Sequence, residues 1–313
     1  MKSYEIGRTN FPIGRKSEGK VRDVYKVGNY KLAMVATDDF TAFDRHFGIV
    51  PFKGQVLNEL SAFWFQTLKE KIPNHFEELI DPNISIVREL NMIPLEVVLR
   101  NSLTGSTETS IFNRYKNGQR EFGPSLEYVL QNGLRKNSLL QRPIVEFFTK
   151  APKGKHDELI SMKEILERGI CTWEDLEKMV HLSELENAVI SEVLGTRGLM
   201  LADFKGEYGI DLASGKLIRG DEIGTPDNSR IWDSQDYLKA MSEEREPYGF
   251  DKEYARIKIQ KTGRFTKDTA RETALRYIKF YEKVTGKKFE FPKENPIERM
   301  ERNLRKHGYL KAA

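Results

Sequence analysis

The chain has 313 residues, 39% of them hydrophobic and 31% charged, which excludes a disordered polypeptide and fits about two domains, or one large domain with lobes. Its 51 Lys and Arg against 47 Asp and Glu leave a net charge of only +4, too little by itself to argue for a nucleic-acid binder. The balance is uneven: residues 251–313 hold 18 basic and 9 acidic side chains, a local +9, and the remainder holds 33 and 38, or −5.

Val21–Lys26 and Lys31–Thr37 read as β-strands joined through a hairpin signal at Gly28-Asn29. Gln55–Leu68 is apolar at helical spacing and rich in aromatics, which predicts a buried helix. Ile93–Arg100 reads as a strand. Ser161-x-x-Glu164 and Thr172-x-x-Asp175 are capping boxes, each opening a helix, the second running to Gly195. Leu199–Ile210 and Lys216–Asp221 read as a strand pair turning at Ser214-Gly215. A helix over Thr266–Thr285 stops at Gly286, and another opens at Asn295-Pro296 and stops before Gly308. There is no internal repeat. Clustered strands and helices, without regular β-α alternation, predict an α+β fold.

The single cysteine, Cys171, rules out an intrachain disulfide and a cysteine-rich zinc site. Met1–Asn10 is polar, and no stretch approaches a membrane span, so the expectation is a cytoplasmic protein without membrane contact.

Five segments carry chemistry. In Leu199–Asp211 strand alternation puts Asp203, Lys205 and Glu207 on one face, and the next strand ends at Asp221-Glu222. Four carboxylates around one lysine need an offsetting cation, and carboxylates with no Cys or His nearby favour Mg²⁺, which commonly serves substrate phosphates. In Ser17–Tyr25, Gly19 lets backbone approach a ligand, and Lys20 and Arg22 alternate onto one face where phosphate oxygens could meet them. No Walker sequence is present; the segment is closer to a glycine-rich phosphate loop. Glu96, Val98 and Arg100 share a strand face, followed by a hydroxyl-rich loop through Ser106 that suits an ester phosphate, unless Glu96 and Arg100 simply pair at the surface. Thr149-Lys150 through His156-Asp157 reads as a loop, with His156 a capping residue. Gly224–Trp232 is turn-rich and offers Arg230 to an anion.

In order along the chain, GKVRDVY, TAFD, Arg100-x-x-x-Thr-Gly-Ser, HDE, ADFKGEYG and GDEIGTPDNSRIW closely resemble the SAICAR synthetase (phosphoribosylaminoimidazole-succinocarboxamide synthase) family, over about Gly19–Trp232. The resemblance implies a small antiparallel-β lobe with the glycine-rich loop (1–93) and a larger α+β lobe with C-terminal helices (94–313), with ATP between them. It implies ATP-dependent joining of L-aspartate to the carboxylate of carboxyaminoimidazole ribonucleotide through an acyl phosphate, giving the succinocarboxamide, ADP and phosphate.

The resemblance also implies roles. Gly19, Lys20 and Arg22 face ATP phosphates, Leu90 and Met92 the adenine, and Glu207 and Asp221 hold Mg²⁺ with the nucleotide. Lys205 steadies the transferred phosphoryl group, with Asp203 beside it on the substrate side. Arg100, Ser106 and Arg230 contact the ribonucleotide phosphate, and Lys150 lies on the substrate side. Glu96 and Asp157 approach the imidazole carboxylate through a second Mg²⁺. Thr41 and Asp44 belong to a Ser-Ala-Phe-Asp element in which Thr replaces Ser. The chain departs from the family pattern at Asp39, at Asn101-Ser102 and at Glu146–Phe148, around the substrate side. The alternatives are an ATP-dependent phosphotransferase or ligase on a related acceptor, and a nucleic-acid binder using the basic tail. A His-Arg-Asp loop is missing, Asp203-Phe204 is followed by Lys205 and not glycine, and the tail reads as solvated helix surface, so neither is preferred. A homo-oligomer stays open.

Overall fold

The computed structural model describes residues 5–43, 45–150 and 157–311. In chain order the elements begin with β1 (Lys16–Glu18), β2 (Arg22–Gly28), β3 (Lys31–Ala36), β4 (Asp39–Ala42) and β5 (Arg45–Ile49). Then come α1 (Lys53–Leu68), β6 (Phe76–Asp81), β7 (Ile84–Arg88), β8 (Leu90–Met92) and β9 (Leu95–Leu103). The middle holds α2 (Ile111–Lys116), β10 (Glu121–Phe122), β11 (Tyr128–Val129), β12 (Ser138–Thr149), β13 (Leu159–Ile160), α3 (Met162–Glu167) and α4 (Trp173–Gly195). The chain continues with β14 (Leu199–Asp211), β15 (Leu217–Gly220), β16 (Ser229–Asp233), α5 (Ser234–Ser242), α6 (Glu253–Thr262), α7 (Lys267–Thr285) and α8 (Pro296–Lys306).

The fold is α+β, as the clustering predicts. Strands β1-β2-β3-β7-β6 form one antiparallel sheet, and β13-β12-β9-β14-β15 a second, with β16 and β8 also pairing on β14. The 13-residue β14 is therefore the spine: it pairs in different stretches with β9, β15, β16 and β8. Its apolar face, Phe204 and Tyr208 included, packs into the large core with Leu182 and Ile190 of α4 and Val97 and Leu99 of β9.

Local rules explain the helix ends. Both capping boxes form, with the Ser161 and Thr172 hydroxyls accepting from the backbone N–H of Glu164 and Asp175, and the Ser161 and Thr172 backbone N–H donating to those residues' carboxylates in return. Asn295 caps α8, Pro296 fills its first turn, and Gly286 takes a left-handed conformation to end α7. Helix α1 begins two residues before the predicted Gln55 and is buried nearly all round, with Trp64 donating to the Gly224 carbonyl at 2.9 Å.

Helix α8 returns to the first sheet. Met300 and Leu304 join Phe11, Tyr25, Val35 and Ile84 in a second core, and Arg299 clamps Asp81 with both ends of its guanidinium at 3.0 Å. Among the described residues no helix is long and apolar enough to cross a membrane.

Candidate active site

Adjacent strands in register carry the site. Asp203 of β14 stands opposite Arg100 of β9, and Lys205 opposite Val98, so the like-facing side chains of both strands form one surface. That surface floors a cleft of ≈ 550 Å³ lined by Glu96, Arg100, Asp203 and Lys205. Its walls add Lys20 from the loop before β2, Thr41 from β4, Ser106, Asp157 and Arg230. Predicted residues far apart in sequence thus meet in one place. Asp44 and His156 lie outside the described residues.

The strand face is not solvated; Asp203 and Glu207 are buried. Its charges divide into two groups. In the first, Arg230 reaches Asp203 at 2.5 Å, and Arg100 reaches Glu146 at 2.6 Å and Asp203 at 3.4 Å. Arg114 joins Glu146 at 2.5 Å, while Glu253 accepts from Ser106 at 2.5 Å and lies 3.6 Å from Arg230 and 3.5 Å from Arg256. Four guanidiniums thus stand among the carboxylates of Asp203, Glu146, Glu253 and Asp251, and their planar forks suit a phosphate.

In the second group Lys205 Nζ lies 2.6 Å from Glu96 Oε1. Burial alone would lower the Lys205 pKa, but Glu96, Glu207 and Asp221 outweigh it and raise it. Glu207 pairs with Lys150, and Arg22 bridges Asp221 at 2.5 Å and Glu222 at 2.8 Å. Burial and then the Asp221 charge push the Glu207 carboxyl up. Asp221 is also penalised by burial, yet Arg22, Lys150, Lys205 and Arg219 pull it below the usual carboxylate range. Two nearby carboxylates that raise each other's charging cost suit a shared divalent cation, and Mg²⁺ takes one or two carboxylates beside phosphate oxygens. Among the described residues no group of three or more His, Cys, Asp or Glu forms a complete metal cage.

Backbone geometry supports this second group. Asp221 holds a left-handed conformation, φ 56°, and the buried His75 Nε2 lies 3.1 Å from its carbonyl oxygen. Burial pushes His75 down to about 3, so the ring is neutral and its Nε2–H donates that bond. Gly19 closes a tight turn by donating to the Arg22 carbonyl at 2.8 Å, and a side chain there would press to 3.2 Å from that oxygen. Leu90 and Met92 lie on β8 beside β14, and both pack over Gly220.

One alternative falls away and two expectations are revised. The surface pair of Glu96 with Arg100 does not form: Glu96 holds Lys205, and Arg100 holds Glu146 and Asp203. Only three of the four hairpin carboxylates gather, since Arg22 holds Glu222 together with Asp221 near Glu207 while Asp203 belongs to the arginine wall. The basic tail is not all helix surface, since Lys252 and Arg256 line the cleft. Elsewhere in the tail Arg276 stacks on Tyr248 and Tyr254, 4.1 Å from each ring centre.

Of the departures, Asp39 binds Arg8 and His46, Asn101 binds Asn187, and Ser102 binds the Ala202 carbonyl. Glu146 and Phe148 both lie against the predicted site residue Arg100, Glu146 through an ion pair and Phe148 through its ring face, and Phe148 also lines the cleft. Sequence reading missed Lys252, Glu253 and Asp227. Asp227 lines the cleft and is held by Lys53 at 3.0 Å and the Tyr277 hydroxyl at 2.7 Å. The available signal for Lys252 and Glu253 was Asp251-Lys252-Glu253, an alternating charge run that leads into the first residue of α6.

The two sheets bring cations, paired carboxylates and a central lysine together, an arrangement that suits an ATP-dependent ligase. The chain belongs to the SAICAR synthetase family, whose sequence profile matches residues 15–273. It is 36% identical over 293 residues to the phosphoribosylaminoimidazole-succinocarboxamide synthase of Legionella pneumophila (strain Paris), covering 91% of this chain and 92% of that one. It is also 36% identical over 301 residues to the chloroplastic synthase of Arabidopsis thaliana, covering 91% and 71%. Its fold is similar to the Saccharomyces cerevisiae SAICAR synthase complexed with SAICAR: TM-score 0.74, 27% identity, 91% of this chain and 100% of that one. A type-2 SAICAR synthetase in complex with ADP matches with TM-score 0.68 and 28% identity over 88% and 100%.

Proposed function

We propose that the protein joins L-aspartate to the carboxylate of carboxyaminoimidazole ribonucleotide, with ATP converted to ADP and phosphate, as a cytoplasmic enzyme of purine biosynthesis. The observation that carries this reading is the position of Lys205, which lies in the cleft against Glu96 and is electrostatically tied to Glu207 and Asp221. A cation there faces both a nucleotide's terminal phosphate and an acceptor carboxylate. The relatives' names, the ADP of one related structure and the SAICAR of another support the same reading.

A carboxylate is a poor electrophile because its leaving group would be oxide. In the proposed route its oxygen takes the γ-phosphoryl group and ADP departs. The amine of aspartate then attacks the acyl carbon, phosphate leaves, and the amine loses a proton. Positioning and charge neutralisation do most of the catalysis. Lys20 and Arg22 attract the ATP phosphates, and Leu90 and Met92 border the adenine between lobes 1–93 and 94–313. Glu207 and Asp221 would hold Mg²⁺, which neutralises phosphate charge. Lys205 offsets charge on the phosphoryl oxygens in transit. Arg100, Ser106 and Arg230 receive the ribonucleotide phosphate, and Asp203 fixes both arginines. Glu96, Asp157, Lys150 and Thr41 line the acceptor side.

The test is a mass-spectrometric assay for the succinocarboxamide from ATP, aspartate and the ribonucleotide. Product requiring all three and Mg²⁺ is expected. ADP release indifferent to aspartate would overturn the reading.

A further inference from the structure

The guanidinium of Arg219, on β15, is completely buried and is not a cleft residue. A guanidinium has five N–H donors in a rigid fork. Here each has an acceptor. Nε donates to Glu186 Oε2 of α4 at 2.9 Å. Nη1 donates to the carbonyls of Glu207, at 3.0 Å, and Gly220. Nη2 donates to the carbonyls of Glu222, at 2.8 Å, and Lys205, at 3.4 Å. Two of these carbonyls belong to site residues themselves, and the other two flank Asp221 on either side. One rigid plane therefore ties β14 to the turn after β15.

The counter-charge gains little. Glu186 is fully buried, and its Oε1 has no hydrogen-bond partner. A buried ion pair is weak evidence for stability, since well-packed apolar replacements often match or exceed it. An under-satisfied carboxylate beneath a fully satisfied guanidinium is a poor device for stability and a good one for geometry.

We propose that Arg219 is a positioning residue that sets the spacing of Lys205, Glu207 and Asp221, with Glu186 as its buried counter-charge. The inference rests on the ligase reading of that site.

Two variants test it. Arg219→Lys keeps the charge for Glu186 but offers three donors from one nitrogen, so at least two acceptors are released. Gly206→Ala keeps every donor and places a methyl 3.2 Å from Arg219 Nε and 3.3 Å from Cζ, which forces the fork to shift. The measurements are kcat per folded molecule below the melting transition, KM for the ribonucleotide, and Mn²⁺·ADP affinity by titration calorimetry. A sub-ångström displacement of catalytic groups should cost Arg219→Lys about 30-fold in kcat and about 10-fold in Mn²⁺·ADP affinity, and Gly206→Ala about 5-fold in kcat. The ribonucleotide KM should stay within about twofold, because its arginine wall makes no contact with the fork. If both variants melt earlier but keep kcat and Mn²⁺·ADP affinity, Arg219 is a structural brace and the inference fails. Wild-type protein without aspartate-dependent ligation sinks the ligase reading alone, and weakened Mn²⁺·ADP binding in the variants would still support the positioning role of Arg219. If Arg219→Lys does not fold, Gly206→Ala decides: unchanged kcat and affinity overturn the proposal.

Discussion

Lys53→Met breaks the ion pair beneath the cleft. Lys53 is the first residue of α1, is completely buried, and holds Asp227 at 3.0 Å. Asp227 also accepts from the Tyr277 hydroxyl at 2.7 Å. Burial alone would raise its pKa, but Lys53, Lys252 and the Tyr277 bond together pull it below its ordinary value of 3.8. Removing one partner of a buried pair costs about 3–5 kcal/mol, and the surviving tyrosine and Lys252 argue for the lower end. An unfolding entropy of about 2.1 cal/mol/K per residue gives roughly 0.66 kcal/mol/K for 313 residues. A loss of about 3 kcal/mol then lowers Tm by roughly 4–5 °C at pH 7.5. The pH dependence follows from the sign of the shift. A carboxylate depressed in the folded state contributes stability above its unfolded pKa, and that contribution disappears as pH falls through the folded value. In the variant Asp227 loses its main stabilising cation, so it takes up a proton at higher pH and relieves the penalty. Scanning calorimetry should therefore show the gap between wild type and variant narrowing by at least half between about pH 7.5 and pH 5. A gap below about 1 °C at pH 7.5, or one of equal size at both pH values, would refute the argument.

Lys205→Met should lower kcat by about 10²–10³-fold in the product assay, with the ribonucleotide KM little changed. Arg22→Met leaves Asp221 and Glu222 without their bridging cation and should raise the ATP KM by about 10-fold in steady-state kinetics. Burial and the Asp221 charge raise the Glu207 pKa, so Glu207 takes up a proton more readily as pH falls, and the apparent Mg²⁺ affinity in the presence of ADP should weaken from about pH 8 to pH 6. Calorimetric titration should find that slope much reduced in Glu207→Gln. Gly224 sits at φ +61° with the Trp64 ring 2.4 Å from any added methyl. Gly224→Ala should destabilise by about 3 kcal/mol and shift the tryptophan fluorescence, measured by thermal and denaturant unfolding.

Sequence pattern revealed the elements governed by local rules. Ser161 and Thr172 announce their helices because the capping box closes within four residues. Asp203, Lys205 and Glu207 could be placed on one face because strand alternation is geometric. Partner choice was not legible, since it depends on register between distant strands. Glu96 could be paired with Arg100 from spacing alone, yet the alignment of β9 with β14 brings Lys205 to it instead. Arg219 reads as an ordinary strand residue; only the crossing of α4 beneath the hairpin brings Glu186 to it. Lys252 and Arg256 merged with the basic tail because composition cannot tell a cleft wall from a helix surface.

The return of α8 to the first sheet sets an order on synthesis. The strands through Arg88 leave the ribosome early, but Met300 and Leu304, which complete their core, are about 216 residues further on. At roughly 5–20 residues per second that is a delay of about 10–40 s during which an apolar sheet face stands uncovered. Lesions in α8 should accordingly act on yield and aggregation during expression, while molecules that do mature turn over normally.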